Sequence, residues 1–361
     1  MKKDIIKYLE KKDNDIKELN LKNFKLTEIP DLSKFKNLKV LDLSINKIKK
    51  IENIPKTVHT LILSNNKIEK IINIPLHIKI LFVNKNLLTE LDITETDIVE
   101  LYCERNKLTR ILFSKNLNVL KCSYNKIINL DNLPDGLTYC DCSHNKIKYF
   151  NKLPNELITL NCSFNKLFIL EKIPPNLTYL NIATNKICEI NSLPLGLEHL
   201  YCSFNKLKTI KLSENLIKFD GSYNNLSLIE LNDKLELLII SNNNLSDLPE
   251  LPDSLTLLAC CNIGISKIIV PIDLVELYCN NCKKLNKIYF NNKLELLSCE
   301  HTLIDNLDEI PDSLLELYCA YTKVTKINNT LNNLKCLNIE GNNFSESDIK
   351  YFDLNINYFQ C

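Results

Sequence analysis

Hydrophobic positions recur in a fixed frame of eleven residues along almost the whole chain. Residues 157–167 read LITLNCSFNKL, and residues 197–207 read LEHLYCSFNKL. Positions 1, 4, 6 and 11 of this frame are apolar, position 9 is Asn in most copies, and the positions between them are mostly polar. Because side chains alternate across a strand, the frame predicts a short β-strand that directs positions 4 and 6 inward.

The frame occurs 17 times, at steps of 19 or 20 residues apart from a first step of 22. A degenerate first copy has Phe24 at position 9. The later copies have these residues at position 9: Asn46, Asn66, Asn86, Asn106, Asn125, Asn145, Asn165, Asn185, Asn205, Asn224, Asn243, Ile263, Cys282, Thr302, Thr322 and Asn342. One copy is too small to bury its own apolar side, so a fixed period of this length predicts a solenoid of stacked copies with one continuous core.

Each copy is predicted to contribute one strand to a right-handed parallel solenoid. Strands are expected near residues 40–42, 60–62, 100–102 and 120–122, and in every later copy. About ten residues remain in each copy, which is too few for a helix with its loops. Many copies also carry a proline, which removes a backbone donor and favours an extended chain. We therefore expect an extended convex side and almost no helix between residues 15 and 343. The prolines that recur three residues before position 1 are Pro55, Pro75, Pro134, Pro154, Pro174, Pro194, Pro252, Pro271 and Pro311.

Position 9 is predicted to hold neighbouring copies together. An Asn side chain has both a donor and an acceptor, so at a bend it can bond backbone groups that the strand leaves unpaired. Stacked copies would then form a ladder of such bonds.

The consensus L-x-x-L-x-(L/C/I)-x-x-N-x-(L/I) resembles the leucine-rich repeat, and the resemblance covers nearly the whole chain. Residues 248–255, LPELPDSL, are similar to the short repeat of bacterial type III effectors, in which Pro-containing segments replace a helix. The resemblance implies an α/β-class leucine-rich-repeat solenoid of about 17 repeats, with a curved parallel β-sheet on the concave face and an extended, Pro-containing convex side. The AT-rich coding bias, the abundant core Cys and the short repeat also resemble leucine-rich-repeat proteins of giant DNA viruses, which implies a viral source.

The two ends of the solenoid need covers, because their last copies would otherwise expose the core. Ile5, Ile6 and Leu9 lie at helical spacing and predict a capping helix at the start. Ser345 opens a run typical of a helix N-cap before Phe352. The predicted organisation is an N-terminal cap, a solenoid and a C-terminal cap at residues 1–15, 16–343 and 344–361.

Charge and composition narrow the classes of partner and compartment. Lys and Arg number 45 and Asp and Glu 44, a net charge of +1, so the chain lacks the basic excess on which nucleic-acid affinity depends. No apolar run approaches the roughly 18 residues that span a bilayer, and the first residues contain no apolar run of signal-peptide length. We therefore expect neither a nucleic-acid nor a membrane partner, and a cytoplasmic location, which would be the host cytoplasm for a viral protein. The oligomeric state is left open.

Cysteine is abundant, and nine of the 15 cysteines share the inward position 6. These nine are Cys103, Cys122, Cys142, Cys162, Cys202, Cys260, Cys279, Cys299 and Cys319. Free Cys behaves as a small buried hydrophobe, so the column predicts packed, reduced thiols in a reducing compartment. The group Cys260, Cys261, Cys279 and Cys282 could suggest zinc. The frame directs these four thiols to three different places, however, so we expect no metal.

Motifs for catalysis are missing from the sequence. The five His residues show no metal-binding spacing, and no phosphate-binding glycine loop or nucleophile elbow occurs among the five Gly residues. We therefore expect a protein that is not an enzyme and that needs no cofactor.

Aromatic side chains concentrate at frame positions that are predicted to lie exposed on the concave face. Exposed aromatics on a rigid surface are typical of interface anchors. The candidate partner-binding residues are Tyr124, His144, Phe164, Tyr179, Tyr201, Phe204 and Tyr223. The rings could instead stack on their neighbours without function, or reflect the coding bias alone.

Two functions follow from these alternatives. In the first, the chain is a protein–protein interaction module that binds a protein partner on its concave face. In the second, it is a stiff structural or packaged component without a dedicated binding patch.

Overall fold

The chain forms two compact units, unit 1 (Met1–Tyr179) and unit 2 (Leu180–Cys361). In each unit, parallel strands stack as a solenoid, and the coils of the two units together number about 17. The computed structural model describes residues 2–72, 74–327, 333–356 and 358–361.

Unit 1 opens with a helix and continues as coils that each add a strand of three residues. Ile5 and Leu9 of the helix are buried, whereas Ile6, predicted to share their face, is 52% exposed. The elements are α1 (Lys2–Glu10), β1 (Glu18–Asn20), β2 (Val40–Asp42), β3 (Thr60–Ile62), β4 (Ile80–Phe82), β5 (Glu90–Asp92), β6 (Glu100–Tyr102), β7 (Arg110–Leu112), β8 (Val119–Lys121), β9 (Tyr139–Asp141) and β10 (Thr159–Asn161), and β11 (Tyr179–Asn181) crosses the boundary between the units. Strands β1, β2, β3, β4, β6, β8, β9 and β10 pair in that order, parallel and in register.

Unit 2 continues the same pattern and ends with a helix and a last strand. Helix α2 has Ser345 as its N-cap, and the hydroxyl of Ser345 accepts a bond from the backbone N–H of Asp348. The elements are β12 (His199–Tyr201), β13 (Thr209–Lys211), β14 (Lys218–Asp220), β15 (Leu228–Glu230), β16 (Leu237–Ile239), β17 (Leu257–Ala259), β18 (Lys267–Ile269), β19 (Glu276–Tyr278), β20 (Lys287–Tyr289), β21 (Leu296–Ser298), β22 (Glu316–Tyr318), β23 (Cys336–Asn338), α2 (Glu346–Asn355) and β24 (Tyr358–Gln360). The main parallel sheet of this unit runs through β12, β14, β16, β17, β19, β21, β22, β23 and β24.

The predicted fold class is confirmed. Strands β2, β3 and β6 have the predicted bounds, while β8 begins one residue earlier than predicted, at Val119, because that copy follows a step of 19 residues. The middle residue of each main-sheet strand from β1 to β23 is the inward position 4, as at Leu41 and Leu160, which are fully buried. Between residues 15 and 343, the described part of the chain contains no α-helix.

The side-chain amides of position 9 join neighbouring coils, as predicted. Asn66 Nδ2 donates to the carbonyl of Leu63 in its own coil (3.0 Å) and to that of Leu43 in the preceding coil (2.9 Å). Its Oδ1 accepts the N–H of Ile48 in the preceding coil (2.9 Å). One amide therefore satisfies three backbone groups at the bend, and the same pattern recurs at Asn145 in unit 1.

Prolines close the turn that leads back to the strand. The Pro55 carbonyl accepts the N–H of Val58 at 3.0 Å, and the Pro134 carbonyl accepts that of Leu137 at 3.1 Å. A bond from a residue to the third one after it defines a β-turn. The recurring Pro is therefore the first residue of the tight turn that brings position 1 into the core.

The return side of a coil is the segment that leads from one main-sheet strand to the next. In some coils it forms an additional strand that the sequence did not predict. Strands β5 and β7 pair in unit 1, and β13 with β15 and β18 with β20 pair in unit 2, all parallel. The first two pairs lie in stretches without Pro, residues 76–133 and 195–248. Without Pro, each backbone N–H in these segments is free to enter a ladder.

The cysteine column packs in the core, as predicted. All nine position-6 cysteines are buried, and Cys140 joins them from position 4. Large and small residues are matched in the same core, since Phe219 at position 4 shares its coil with Gly221 at position 6. A Cβ atom on Gly221 would lie 2.5 Å from the ring of Phe219, so this coil needs glycine.

The ladder predicts a measurable difference between two neighbouring residues. Asn165→Ala removes the bonds to the carbonyls of Cys142 and Cys162 and to the N–H of Ile147. We expect it to lower the free energy of unfolding by about 1–3 kcal/mol, because buried backbone groups lose their partners. The exposed Lys166→Ala should cost under about 0.5 kcal/mol. Equal costs in urea denaturation would contradict the ladder.

The core column predicts slow thiol chemistry. The pKa of all nine position-6 thiols is raised; burial is the largest cause for eight of them, and for Cys142 a hydrogen bond with Cys140 comes before burial. Iodoacetamide at pH 8 should therefore label the exposed Cys188 and Cys361 first, and the nine only after unfolding. Intact mass without reductant should show no disulfide within the column. A cross-linked pair there would overturn the packing argument.

Candidate functional site

Position 8 of every copy has a left-handed backbone. At the 17 residues in this position φ lies between 51° and 70°. At 15 of these residues the N–H donates to the position-7 carbonyl of the next coil, as from Tyr124 to Ser143 (3.1 Å) and from His144 to Ser163 (3.0 Å). This conformation favours Gly and Asn and disfavours bulky or β-branched residues.

Three of the candidate residues form a continuous stack in unit 1. The ring centroids of Tyr124 and His144 are 4.0 Å apart, and those of His144 and Phe164 are 4.1 Å apart, with interplanar angles of 10° and 11°. The guanidinium carbon of Arg105 lies 4.5 Å from the Tyr124 centroid and covers its other face. We call Arg105, Tyr124, His144 and Phe164 the aromatic column. It forms because identical backbones in adjacent coils, about 4.8 Å apart, keep the side chains parallel.

Unit 2 contains two similar pairs at position 8. Phe204 and Tyr223 stack at 4.2 Å, and His301 and Tyr321 at 4.6 Å. The next coil after Tyr321 has Gly341 at position 8, where a Cβ atom would lie 2.5 Å from the Tyr321 ring. Glycine at this position therefore lets Tyr321 lie flat across the neighbouring coil.

Stacking decides which part of each ring a ligand can reach. Both faces of Tyr124 and of His144 are covered by neighbours in the aromatic column. Tyr124 and Phe164 nevertheless keep 44% and 48% of their surface exposed. At Tyr124 the solvent therefore meets the ring edge, which carries partial positive charge, rather than the electron-rich faces. A nucleic-acid base or a sugar that needs a free ring face cannot stack on Tyr124 or His144.

Two candidate residues lie outside these stacks. Tyr179 and Tyr201 occupy strand positions 3 and 5 and are half-buried. The Tyr201 ring meets His199 edge-on, with 6.5 Å between the centroids. The expectation that Phe164, Tyr179, Tyr201 and Phe204 approach within about 10 Å of one another involves both units and stays a prediction.

A second aromatic group on the strands of unit 1 was missing from the sequence-based candidates. Phe82 and Tyr102 stack at 4.3 Å, and Lys121 Nζ lies 5.5 Å from the Tyr102 centroid and 5.2 Å from that of Tyr139. The Tyr102 hydroxyl donates to Glu100 at 2.8 Å, and burial, then this bond, raises the pKa of Tyr102 to about 12. Phe82, Tyr102 and Lys121 share position 5, so the frame contained the signal that could have found them.

His144 is held in its neutral form within the aromatic column. Burial is the largest cause that lowers its pKa, Arg105 lowers it further, and Asp141 opposes the shift. A His whose folded pKa lies below the unfolded value contributes stability above that value, near 6.5, and loses it as the pH falls. At neutral pH the ring therefore stacks without the cost of a buried charge.

The cysteine group that could suggest zinc is used differently. Cys282 Sγ donates to the carbonyl of Cys260 at 3.1 Å, in the place where other copies have the ladder Asn. Among the residues that the structure describes, no group of three or more His, Cys, Asp or Glu side chains could hold a metal ion.

Both helices of the described chain are short. Neither they nor any other described segment forms a helix long and apolar enough to cross a membrane.

Comparisons with known proteins agree with this geometry. A family model of leucine-rich repeats in two copies matches residues 15–56, and no curated protein sequence matches the chain. YopM from Yersinia enterocolitica is 25% identical with a TM-score of 0.66, over 92% of this chain and 88% of its own. The functional domain of InlJ from Listeria monocytogenes, described as including a cysteine ladder, is 25% identical with a TM-score of 0.64, over 90% and 68%. A leucine-rich-repeat protein of Leptospira interrogans shares the fold, with 22% identity and a TM-score of 0.70 over 99% and 98%.

The left-handed backbone at position 8 predicts which substitutions stabilise the chain. Ile45 has φ 54° with a branched Cβ, so Ile45→Asn should raise the free energy of unfolding by about 1 kcal/mol. Phe164→Asn should give a lower free energy of unfolding than Ile45→Asn relative to the unchanged protein, because it also removes a ring stack worth about 0.5–1.5 kcal/mol. Chemical denaturation of the two variants tests this. A destabilised Ile45→Asn variant would contradict the backbone assignment.

Proposed function

We propose that this chain is a binding module that holds a protein partner on the strand face of its solenoid, the surface formed by frame positions 3, 5, 7 and 8. The aromatic column is the main anchor in unit 1, and Phe204 and Tyr223 are the anchors in unit 2. The role is binding without catalysis.

The observation that carries this proposal is the presence of exposed aromatic rings at left-handed positions. Asn suits this backbone, and the chain uses it at five such positions, Asn23, Asn65, Asn242, Asn262 and Asn281. A coding bias toward Asn would place the same residue in the other copies. Rings there cost backbone energy, of the order of 1–3 kcal/mol each for unsuited residues. Strain of this kind that persists on an accessible surface favours a binding role over chance.

The chemistry of the surface supports a protein as the partner. In unit 1, the covered faces of Tyr124 and His144 remove the main contact by which bases bind to aromatic side chains. Ring edges, a Tyr hydroxyl and a neutral imidazole remain, and these suit the mixed apolar and polar surface of a protein. Solenoids of stacked repeats offer extended surfaces that fit such partners.

We also propose that the protein works in a reducing compartment such as the cytoplasm. The support is the column of nine buried thiols, since a core of packed free Cys is compatible with reducing conditions. Incubation of the purified protein with an oxidised glutathione buffer should leave the column unmodified while it is folded.

Site-specific photocrosslinking tests the binding face. p-Benzoylphenylalanine replaces Phe164 in one variant and Tyr149 in a control, since Tyr149 is also 48% exposed but lies on a return segment. In living source cells, we expect a discrete protein adduct from position 164 and none of that mass from position 149. The alternative, a stiff component without a dedicated patch, predicts the same diffuse adducts from both.

A double substitution then measures the anchors. Phe164→Ala with Phe204→Ala should weaken capture of the crosslinked partner by about 30-fold, as expected when anchors worth about 2 kcal/mol are lost. The melting temperature should fall by only a few degrees, because each ring contributes one stack and neither ring belongs to the buried core. Tyr149→Ala is the matched control. If the double variant unfolds, the rings belong to the fold; if it retains capture, the binding face lies elsewhere.

A further inference from the structure

One carboxylate oxygen on the strand face of unit 1 is buried without a partner. Glu104 occupies position 7, beside the aromatic column, and its Oε2 is buried with no hydrogen-bond donor. Burial is the largest cause that raises the pKa of Glu104. A buried polar atom without a partner costs free energy, and it calls for a specific explanation.

The cations that surround Glu104 are engaged elsewhere. Lys121 Nζ lies over the rings of Tyr102 and Tyr139, and the Arg105 guanidinium covers Tyr124. No ion pair joins Glu104 to either cation in the described part of the chain. Both cations lower the pKa of Glu104 through space, but neither supplies a donor to Oε2.

The charges nearest to Glu104 balance, but they are not paired with one another. The carboxylates of Glu104 and Asp141 lie near the two cations Lys121 and Arg105. Because neither cation donates to Oε2, this oxygen lacks the donor that a buried carboxylate needs.

Other coils show that position 7 can hold a satisfied glutamate. Glu300 Oε1 accepts a bond from Asn338 (3.1 Å), and Glu340 accepts bonds from Tyr321 (2.7 Å) and Gln360 (2.9 Å). In those copies, coils that follow in the chain supply neutral donors. The missing donor at Glu104 is therefore a property of this place and not of the frame position.

We infer that Glu104 is the receptor for an arginine side chain of the protein partner that docks on unit 1. A guanidinium presents two parallel N–H donors to a carboxylate and stays charged. It can therefore bond both carboxylate oxygens of Glu104, so that Oε2 is no longer without a donor. The inference rests on the proposed function and adds the chemistry that the partner must present: an arginine placed next to the surface that contacts the aromatic column.

The first experiment needs no partner. If Glu104 is kept for binding, the free protein gains when its buried charge is removed, and Glu104→Gln should raise the melting temperature by about 2 °C. Glu300→Gln is the matched control at the same frame position, and it should not raise the melting temperature, because that carboxylate already has a donor. A lower melting temperature for Glu104→Gln would mean that the carboxylate stabilises the fold, and would overturn the inference.

The second experiment uses a phage-displayed random peptide library selected on the wild-type protein. Peptides that compete for the aromatic column are those that lose binding to Phe164→Ala. Among these, we expect enrichment of Arg, at least 10-fold weaker binding to Glu104→Gln, unchanged binding to Glu300→Gln, and a similar loss when Arg is replaced by its neutral isostere citrulline.

The outcomes separate the two proposals. Peptides that depend on Phe164 but bind Glu104→Gln equally well would leave the binding face intact and overturn the role of Glu104. Peptides that tolerate citrulline would show a neutral donor in place of the cation and would also overturn it. If no selected peptide depends on Phe164, the proposed binding face itself fails.

Discussion

The whole structure depends on repetition of one backbone from coil to coil. Each coil donates and accepts the same hydrogen bonds as its neighbours, so the backbone at a given frame position is set by the stack and not by the residue there. At position 8, φ stays near 55° for Ile45, for Arg105 and for Phe164, although these side chains differ in their own preferences. The hydrogen bonds between coils override local preferences that are worth about 1–3 kcal/mol. Side chains at one position are therefore aligned, and adjacent rings can stack.

The features that follow from which residues are buried could be predicted from the sequence. Those that depend on backbone torsion angles, or on which side chains contact each other, could not. Positions 4, 6 and 9 were predictable because burial and the bend restrict them to a few residue types in nearly every copy. The left-handed angle at position 8 was not, because Lys85, Tyr124 and Gly341 occupy it with no common chemistry. The place of Lys121 between two tyrosines was hidden as well, since spacing gives the face of a side chain and not the ring it contacts. The paired strands on the return side could not be predicted either, because the sequence does not show which extended segments lie side by side.

Departures from the ladder show how much the stack tolerates. Cys282 and Thr302 each make one of the three bonds of an Asn amide, to the carbonyls of Cys260 and Cys299, and Ile263 has no polar side-chain atom. The coils of Ile263 and Cys282 are also those that pair β18 with β20 on the return side. Backbone bonds on one side of these coils therefore accompany the loss of side-chain bonds on the other. The constraint is that neighbouring coils are bonded, while the place of the bonds can change.

The same repetition explains how a strained surface can serve binding. A flexible anchor loses side-chain entropy when a partner fixes it, and this loss weakens the complex. In the aromatic column, His144 is fixed between two rings before any partner arrives, and Tyr124 lies between His144 and Arg105. The unfavourable backbone angles lower the stability of the free protein, but they keep the rings ordered before a partner binds. The hydrogen bonds of the remaining coils help to hold that backbone. A long solenoid can therefore tolerate, at a few positions, a strain that a single isolated turn could not.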